Sequence, residues 1–382
     1  MKILAIICEF NPFHSGHEYL IEQAKRMSGC DAVLCIMSGN FTQRGEMCIN
    51  GKYIRAKHAI LGGADCVIQL PAPFAVAPAE IFASGAVKIL SAIPDIKYLA
   101  FGCENADLDY YKNAEISLNE SENFKTLLQN GLNEGDSYVK SYSRAFSSCG
   151  GDVRIVRQPN NVLGLEYVKS ILKLNSKIKI LPIQRIGGNF SDGTIYENYS
   201  SAFAIRNGLN NEKVKKCVPE FVLNDLPKQF ETNEYENYLR YVLFNSEKSE
   251  LKRIYGCGEG LENKLKSLEN MPFGDIIRHT TSKRYSSSRI RRILCANALE
   301  LYRDDCEKYL SANLYIKPLA VKRLAADKIL SALSKSKYPV VTGIDTENLN
   351  TTAKECFEQD RKEFEMYNFL THSDNKDYMV II

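Results

Sequence analysis

The strongest constraint on the fold is a short apolar strand that passes through a tight turn into an amphipathic helix at the start of the chain. Residues Ile3 to Ile7 form a continuous apolar run, and Asn11-Pro12 ends it. A helical pattern begins near His17, and apolar side chains recur at helical spacing as far as Met27. A strand, turn and helix in this order predict the first unit of a parallel α/β sheet.

The same alternation continues through the first half of the chain. Apolar runs over residues 32–37, 66–70, 96–101 and 177–183 have the character of buried strands, and residues 53–61 and 79–90 have helical patterns between them. Continuous apolar strands separated by helices predict a parallel sheet covered on both faces. Ligands of such sheets bind at the carboxyl ends of the strands, where His14, Ser38 and Gly102 are expected.

The pattern changes after Gly208, where strand-like runs give way to charged helical segments such as Tyr235 to Phe244 and Ser286 to Leu299. The last part has a helical pattern over 321–334, a short apolar run at 340–342 and a terminal one at 379–382. We therefore predict a Rossmann-like α/β domain over residues 1–208. A helical domain over 209–312 and a small α/β unit over 313–382 are predicted to follow.

The turn after the first strand carries two of the five histidines of the chain. A helix N-terminus offers free N–H donors and a positive dipole end, which stabilise a bound anion. His14 and His17 are three residues apart, so both imidazoles can face one phosphate group. Gly16 has no side chain and lets a ligand approach the backbone. Taken alone, the same histidine pair fits a simple helix cap equally well.

Composition restricts the class of protein without naming a function. The formal net charge is only +3, so any contact with RNA must come from local clustering of basic residues. The twelve cysteines include no C-x-x-C pair, which is typical of buried thiols in a reducing compartment, and neither a disulfide framework nor a metal site is predicted. The chain has no leader-like segment and no apolar run of membrane-spanning length, which predicts a cytoplasmic location.

Residues Phe10 to His17 (F-N-P-F-H-S-G-H) resemble the F-N-P-x-H-x-G-H signature of the nucleotidylyltransferase superfamily. The closer resemblance is to one member group, the bacterial tRNA(Met) cytidine acetate ligases. It is carried by residues 9–14, 37–46, 101–104, 159–164, 283–285 and 289–294. The similarity therefore extends from the N-terminus to about Leu294.

The resemblance implies an ATP-dependent ligase that forms a carbon–nitrogen bond on tRNA. In that family acetate attacks the α-phosphorus of ATP, giving acetyl-adenylate and pyrophosphate, and the acetyl group then passes to N4 of the wobble cytidine of elongator tRNA(Met). ATP with Mg²⁺, acetate and elongator tRNA(Met) are therefore the expected cofactor and partners. Self-association into a homo-oligomer is left open.

The resemblance also implies the site residues. The catalytic pair is His14 and His17. The implied ATP contacts are Ile7, Cys8, Glu9, Phe10, Asn11, Pro12, Phe13, His14, Ser15, Gly16, His17, Glu18, Tyr19, Leu20, Gly102, Asn161, Arg185, Ser201 and Arg206.

Three of these positions have a structural alternative, and two others rest on an imperfect match. Gly102 fits an ordinary turn glycine, Asn161 a helix N-cap and Arg185 a solvated side chain. Residues 200–206 match the superfamily's I-S-S-T-x-I-R box only imperfectly, which weakens Ser201 and Arg206.

A basic segment runs from Arg278 to Arg292 and contains no acidic residue. Arg289 and Arg292 share one helical face, which suits a row of phosphates, and Lys283 and Arg284 belong to the same segment. These four residues are the predicted RNA contacts. Lys52 and Arg55 could neutralise phosphate or contact RNA, and a solvated helix face explains them equally well.

Two other functions remain open from the sequence. The first is an adenylyltransferase that joins AMP to a mononucleotide or phosphopantetheine-like acceptor, which the signature alone would satisfy. The second is a non-catalytic RNA-binding protein with ATP as a structural ligand. Nothing in the sequence fixes the acetate pocket or the role of Glu9.

Overall fold

The structure, a computed structural model, describes residues 1–112, 122–152, 158–187, 194–196 and 198–382. Its centre is a seven-stranded sheet with strand order β5-β4-β1-β2-β3-β6-β7. The strands are β1 (Ile3–Cys8), β2 (Ala32–Ser38), β3 (Cys66–Leu70), β4 (Ile96–Cys103), β5 (Lys179–Gln184), β6 (Pro318–Val321) and β7 (Val380–Ile381). The first five are parallel, whereas β6 pairs antiparallel with β3.

Helices occupy most of the remaining described residues. Those of the first half are α1 (Ser15–Ser28), α2 (Lys52–Leu61), α3 (Ala72–Ala75), α4 (Ala79–Ser91), α5 (Leu108–Lys112), α6 (Glu122–Asn133), α7 (Tyr138–Ser148), α8 (Pro159–Lys173) and α9 (Ala202–Asn207). Those of the second half are α10 (Val214–Cys217), α11 (Glu220–Leu223), α12 (Asn233–Asn245), α13 (Lys248–Arg253), α14 (Leu261–Ser267), α15 (Phe273–Thr280), α16 (Ser287–Ala298), α17 (Arg303–Ser311), α18 (Ala326–Leu333) and α19 (Thr351–Leu370).

The sheet has apolar cores on both faces, as the continuous apolar strands predict. Successive residues of β1 alternate between them: Ile3 and Ala5 pack with α4 and α8, whereas Leu4 and Ile6 pack with α1 and α2. All seven residues of β2 are buried, which explains why the sequence of this strand does not alternate. The predicted α/β class with a Rossmann-like parallel sheet is confirmed.

The helical region has an apolar core of its own, built largely from α12, α15 and α16. Phe41 and Met47, from the segment after β2, belong to this core, and so do Met366 and Tyr367 of α19. The segment after β2 therefore joins the carboxyl edge of the sheet to the helical region.

The C-terminal segment differs from its predicted elements. The helix expected over 321–334 begins only at Ala326, because the apolar run Pro318–Val321 pairs with β3 as a strand, and a 3₁₀ turn over Arg323–Ala325 follows. The strand expected over 340–342 is a single bridge between Val340 and Ile316. Strands β6 and β7 extend the main sheet, and the division of the chain into three units stays a prediction.

A buried ionic cluster holds the last helix against the carboxyl edge of the sheet. Lys52 and Lys317 both pair with Asp377, and the Nζ atom of Lys52 lies 2.7 Å from its Oδ1. Asp360 accepts a hydrogen bond from the backbone N–H of Ala72 at 2.7 Å, and Glu363 accepts one from that of Asn40. Lys52 is fully buried, so the roles considered for it, phosphate or RNA contact and a solvated helix face, are wrong.

The described residues contain no helix that is long and apolar enough to cross a membrane. The twelve cysteines all fall in the described part of the chain, where every one is a free thiol and ten are buried. This agrees with the prediction of small buried side chains.

Candidate active site

The two histidines of the turn are fixed by hydrogen bonds at the N-terminus of α1. His14 is the N-cap residue, and its Nδ1 accepts the backbone N–H of Gly16 at 3.0 Å. His17 is the third residue of the helix, and its Nδ1 accepts the backbone N–H of His14 at 3.3 Å. This reciprocal arrangement is a capping box made of imidazoles.

The hydrogen bonds also fix the tautomer of both rings. Each Nδ1 acts as an acceptor, so the ring proton of the neutral imidazole is on Nε2. Burial, together with the charge of Arg185, lowers the pKa of His14 to about 3. Burial and the neighbouring His14 lower the pKa of His17 as well. Both residues are therefore neutral at pH 7, and each keeps one Nε2–H donor for a ligand.

The structure gives a second reason why glycine is needed at position 16, besides close approach of a ligand. A Cβ atom at this position would lie 2.9 Å from Cε1 of His14, because the capping imidazole folds over the backbone of the first turn. Glycine therefore allows His14 to cap the helix and face the cleft at the same time.

A cleft opens beside the histidines at the carboxyl edge of β4 and β5. Its lining consists of His14, Gly16, His17, Tyr19, Leu20, Gly102, Ile183, Gln184, Arg185, Ile186, Tyr199 and Ser200. Strand β4 brings Gly102 to the cleft, and the residue after β5 is Arg185. The location of the site at the switch between β1 and β4 is the one that an open parallel sheet favours.

Arg185 faces the cleft and is not a solvated side chain. Its backbone N–H donates to the carbonyl of Cys103 at 2.9 Å, which ties the end of β5 to β4. Its guanidinium is partly buried and makes no hydrogen bond within the described residues. Burial lowers the pKa of Arg185, and Glu104 opposes that effect. A cation held beside two neutral donors is suited to binding phosphate.

Asn161 is a support for the cleft and not an N-cap. The helix α8 begins at Pro159 with Gln158 as its cap, which places Asn161 in the first turn. Its Oδ1 accepts the backbone N–H of Glu104 at 2.9 Å and that of Asn105 at 3.2 Å. The buried amide therefore holds the segment that follows β4 and Gly102. Its contact with ATP stays a prediction.

The predicted residues of the imperfect box over 200–206 support the site through contacts outside the cleft. The hydroxyl of Ser201 caps α9 by accepting the N–H of Ala204 at 3.0 Å. Arg206 donates to the carbonyl of Asn11 at 2.5 Å and pairs with Glu46 at 2.8 Å. Arg206 thus braces the histidine turn, whereas Tyr199 and Ser200 are the residues of this region that line the cleft.

The rest of the predicted phosphate-binding stretch divides between cleft, core and surface. Tyr19 and Leu20 line the cleft, whereas Ile7, Phe10 and Phe13 are buried in the cores. Of the polar members, Asn11 accepts the N–H of Ile49 at 2.8 Å, and Ser15 donates to the carbonyl of Cys217 at 2.9 Å. The remaining residues of the predicted stretch do not line the cleft: Pro12 follows a cis peptide bond, Cys8 is partly buried and Glu18 is exposed.

Glu9 lies on the other side of β1, towards β2. Its Oε1 accepts the backbone N–H of Gln43 at 2.6 Å. Its pKa is raised, first by burial and also by the nearby Glu46. Arg55 donates to the carbonyl of Glu9 at 2.5 Å and to the carbonyls of Ser38 and Gly39 at the end of β2. Arg55 is fully buried, so the two roles considered for it, RNA or phosphate contact and a solvated helix face, are both wrong.

The basic segment is only partly free to bind a ligand. Arg289 donates twice to the carbonyl of Gly256, at 2.9 and 2.7 Å. Arg292 donates to the carbonyl of Gln43 at 3.4 Å, and burial, with the charge of Arg289, lowers its pKa to about 10. Lys283 and Arg284 are exposed, and Arg284 pairs with Glu259 at 3.0 Å. Acidic residues outside the segment therefore compensate part of its charge.

Five cleft residues were not among the predicted contacts: Ile183, Gln184, Ile186, Tyr199 and Ser200. The first three flank Arg185 at the end of β5, and the general rule that ligands bind at strand carboxyl ends could have found them. Tyr199 has no such signal, because it comes from an irregular segment.

This fold and cleft define a site of the nucleotidyl transferase class. The model of the family described as HIGH Nucleotidyl Transferase matches residues 1–379. A tRNA(Met) cytidine acetate ligase of Clostridium botulinum (strain Hall) is 36% identical, over 92% of this chain and 91% of its own. One of Clostridium perfringens is 32% identical and covers 100% of this chain and 98% of its own.

Solved structures agree with the sequence relatives. The crystal structure of Thermotoga maritima TmcAL in its apo form superposes with a TM-score of 0.92 at 27% identity, and all of both chains is covered. The same protein bound with alpha-thio ATP superposes with a TM-score of 0.89. The chain belongs to the tRNA(Met) cytidine acetate ligase family within the HIGH nucleotidyl transferases.

Proposed function

We propose that this protein is an ATP-dependent tRNA(Met) cytidine acetate ligase that makes N4-acetylcytidine in two steps. Acetate first attacks the α-phosphorus of ATP, so that a carboxylate oxygen forms a bond to phosphorus and pyrophosphate leaves. The N4 amine of the wobble cytidine of elongator tRNA(Met) then attacks the acetyl carbonyl, and AMP leaves. The observation that carries this proposal is the meeting of His14, His17 and Arg185 in one cleft at the N-terminus of α1.

The first step needs charge neutralisation and positioning more than a covalent nucleophile. His14 and His17 donate through Nε2–H to the phosphate oxygens, and the N-terminus of α1 adds its dipole. Arg185 balances the charge that grows on the departing pyrophosphate. A well-placed donor of this kind contributes on the order of 3 kcal/mol to lowering the barrier.

Mg²⁺ is part of the proposal as an ion that comes with ATP. The described residues contain no group of three or more His, Cys, Asp or Glu side chains that could hold a metal ion. Mg²⁺ in nucleotide sites is commonly held by substrate phosphates and water with one or two protein carboxylates, which fits a cleft lined by donors and a cation. Bound in that way, it would neutralise phosphate charge.

The tRNA is proposed to approach over the helical region. Lys283 and Arg284 are exposed and precede α16, and Arg289 and Arg292 lie within that helix. Arg292 contacts Gln43, which in turn binds Glu9, so this helix reaches the edge of the sheet where the histidine turn lies. The cytoplasm stays the predicted location.

The test is mass spectrometry of tRNA after incubation with ATP, Mg²⁺ and isotopically labelled acetate. Labelled acetylcytidine supports the proposal. Acetate-dependent exchange of pyrophosphate into ATP separates it from the two alternatives. An adenylyltransferase with another acceptor, or an RNA-binding protein that only holds ATP, gives no exchange that depends on acetate.

A further inference from the structure

The first step leaves one acidic group of the histidine turn without a role. Glu9 directly follows β1, and β1 lies between β4 and β2 in the sheet. The cleft is lined by α1 and by the ends of β4 and β5. The Glu9 carboxylate instead binds the N–H of Gln43, in the segment that follows β2. Glu9 is therefore on the opposite side of β1 from Arg185.

This side of the turn faces the helical region. The carbonyl of Gln43 accepts from Nη1 of Arg292, so a single residue joins the Glu9 carboxylate to α16. A Cβ atom on Gly45 would lie 2.6 Å from the carbonyl of Arg291, which shows how closely this segment and α16 approach each other. A substrate that arrives over α16 would meet Glu9 before it meets the cleft.

Glu9 is available to a ligand on this side. Its side chain is partly exposed, and its only hydrogen bond within the described residues uses Oε1. The second carboxylate oxygen is therefore left for another donor. A carboxylate is a good acceptor for the N4 amine of cytosine, whereas uracil offers only a carbonyl at that position.

The second step also has a proton to dispose of. When N4 of cytidine attacks the acetyl carbonyl, nitrogen becomes positively charged until one of its two protons leaves. The C–O bond to AMP breaks, and its electron pair goes to the phosphate. A base near N4 that takes this proton would contribute about 10² to 10⁴ in rate.

We propose that Glu9 is the acceptor-side catalytic residue: its free carboxylate oxygen holds the N4 amine of the target cytosine and takes the proton released when the acetyl group is transferred. This inference rests on the proposed function and adds the group that serves its second step. The charged and titratable groups that interact electrostatically with Glu9 are Cys8, Arg44, Glu46, Cys48, Tyr167 and Arg206, and Arg55 donates to its backbone carbonyl. Burial and Glu46 raise the pKa of Glu9, which makes it a better base than an ordinary carboxylate.

The test compares Glu9→Gln with Glu22→Gln, a matched change on the exposed face of α1. Glutamine keeps an oxygen for the N–H of Gln43 but cannot take a proton. Two rates are measured: acetate-dependent pyrophosphate exchange, and single-turnover transfer of labelled acetyl from preformed acetyl-adenylate to tRNA. In Glu9→Gln the transfer rate should fall at least about 100-fold relative to the exchange rate. In Glu22→Gln the ratio should match that of the parent protein.

The results separate the two proposals. Equal losses in exchange and transfer, or a transfer rate close to that of the parent, would overturn the role of Glu9. Absence of acetate-dependent exchange in the parent protein would overturn the proposed function itself. If Glu9→Gln does not fold, the pH profile of the parent decides. Single-turnover transfer should fall as the pH drops through the raised pKa of Glu9, and a flat profile there would rule this base out.

Discussion

The imidazole rings of His14 and His17 stack on each other with their centroids 3.7 Å apart and their planes inclined by 22°. Two protonated imidazoles would repel each other at this distance, and burial lowers the pKa of both. The stack is therefore a pair of neutral rings, each of which is held through Nδ1 and is free to donate through Nε2.

Replacement of His14 should separate its two roles. Asn is a good N-cap, so His14→Asn keeps an acceptor for the N–H of Gly16 but removes the Nε2–H donor. We expect acetate-dependent pyrophosphate exchange to fall about 10²- to 10³-fold, with little loss of thermal stability. His14→Ala should lose the same activity and about 1 kcal/mol of stability as well. The exposed His372→Asn is the control. Near-parental exchange in His14→Asn would show that the ring only caps the helix.

The stability of the protein should depend on pH through His14. Its pKa is about 3 in the folded protein and 6.5 as the ordinary value, so below pH 6.5 the unfolded chain binds a proton that the folded one does not. Stability is therefore lost as the pH falls from about 6.5 towards 3. Between pH 7 and pH 5, urea unfolding of the parent should lose about 2 kcal/mol more than that of His14→Asn. Parallel losses in the two proteins would contradict a neutral His14.

Arg185→Ala should weaken the use of ATP in the absence of tRNA. The guanidinium lines the cleft beside the histidines, and its removal leaves phosphate charge without a cation. The KM for ATP in pyrophosphate exchange should rise about tenfold or more, since a charged hydrogen bond contributes about 1.5 to 3 kcal/mol. Lys179→Ala, at the exposed start of the same strand, is the control and should leave the KM unchanged. An unchanged KM in Arg185→Ala would place the residue outside the nucleotide site.

Lys283 and Arg284 should contribute to the salt dependence of tRNA binding. Both are exposed, whereas Arg289 and Arg292 already donate to backbone carbonyls. Removal of both charges in Lys283→Ala/Arg284→Ala takes away up to two phosphate contacts, so the slope of log K against log salt should become shallower by up to about 1.8. The control is Lys179→Ala/Lys328→Ala. These two lysines lie at the amino edge of the sheet, opposite the carboxyl edge where the cleft lies. If the slope of log K against log salt is the same in both double variants, the tRNA does not bind over Lys283 and Arg284.

Asp377→Asn should destabilise the protein without touching the cleft. Burial alone would raise the pKa of Asp377, but the charges of Lys52 and Lys317 lower it to about 2. Removal of the carboxylate leaves two buried ammonium groups poorly compensated, and the free energy of unfolding at pH 7 should fall by about 3 kcal/mol. This contribution is present above pH 3.8 and is lost as the pH falls towards 2. Asp374→Asn changes an exposed neighbour and should have little effect.

The sequence predicts those parts of the fold and site that depend on local pattern. The apolar runs locate the first five strands, and the H-x-G-H spacing locates the N-terminus of α1. Lys52 and Arg55 were misjudged because a helix pattern does not show that a face is covered by segments distant in sequence. Pro318–Val321 was missed because its partner is Cys66–Leu70, far away in the chain. Long-range pairing and long-range burial thus account for the errors.

The contacts of α19 have a consequence for how the protein is made. Glu363 binds the N–H of Asn40, and these residues are separated by 323 positions along the chain. Asp360 binds Ala72 in the same way, across 288 positions. During translation the histidine turn leaves the ribosome early, but the loops behind it gain these supports only after residues 360–377 have emerged. A nascent chain that stops before α19 would contain the whole nucleotide-binding motif. The loops at the carboxyl edge of its sheet would lack the hydrogen bonds to Asp360 and Glu363.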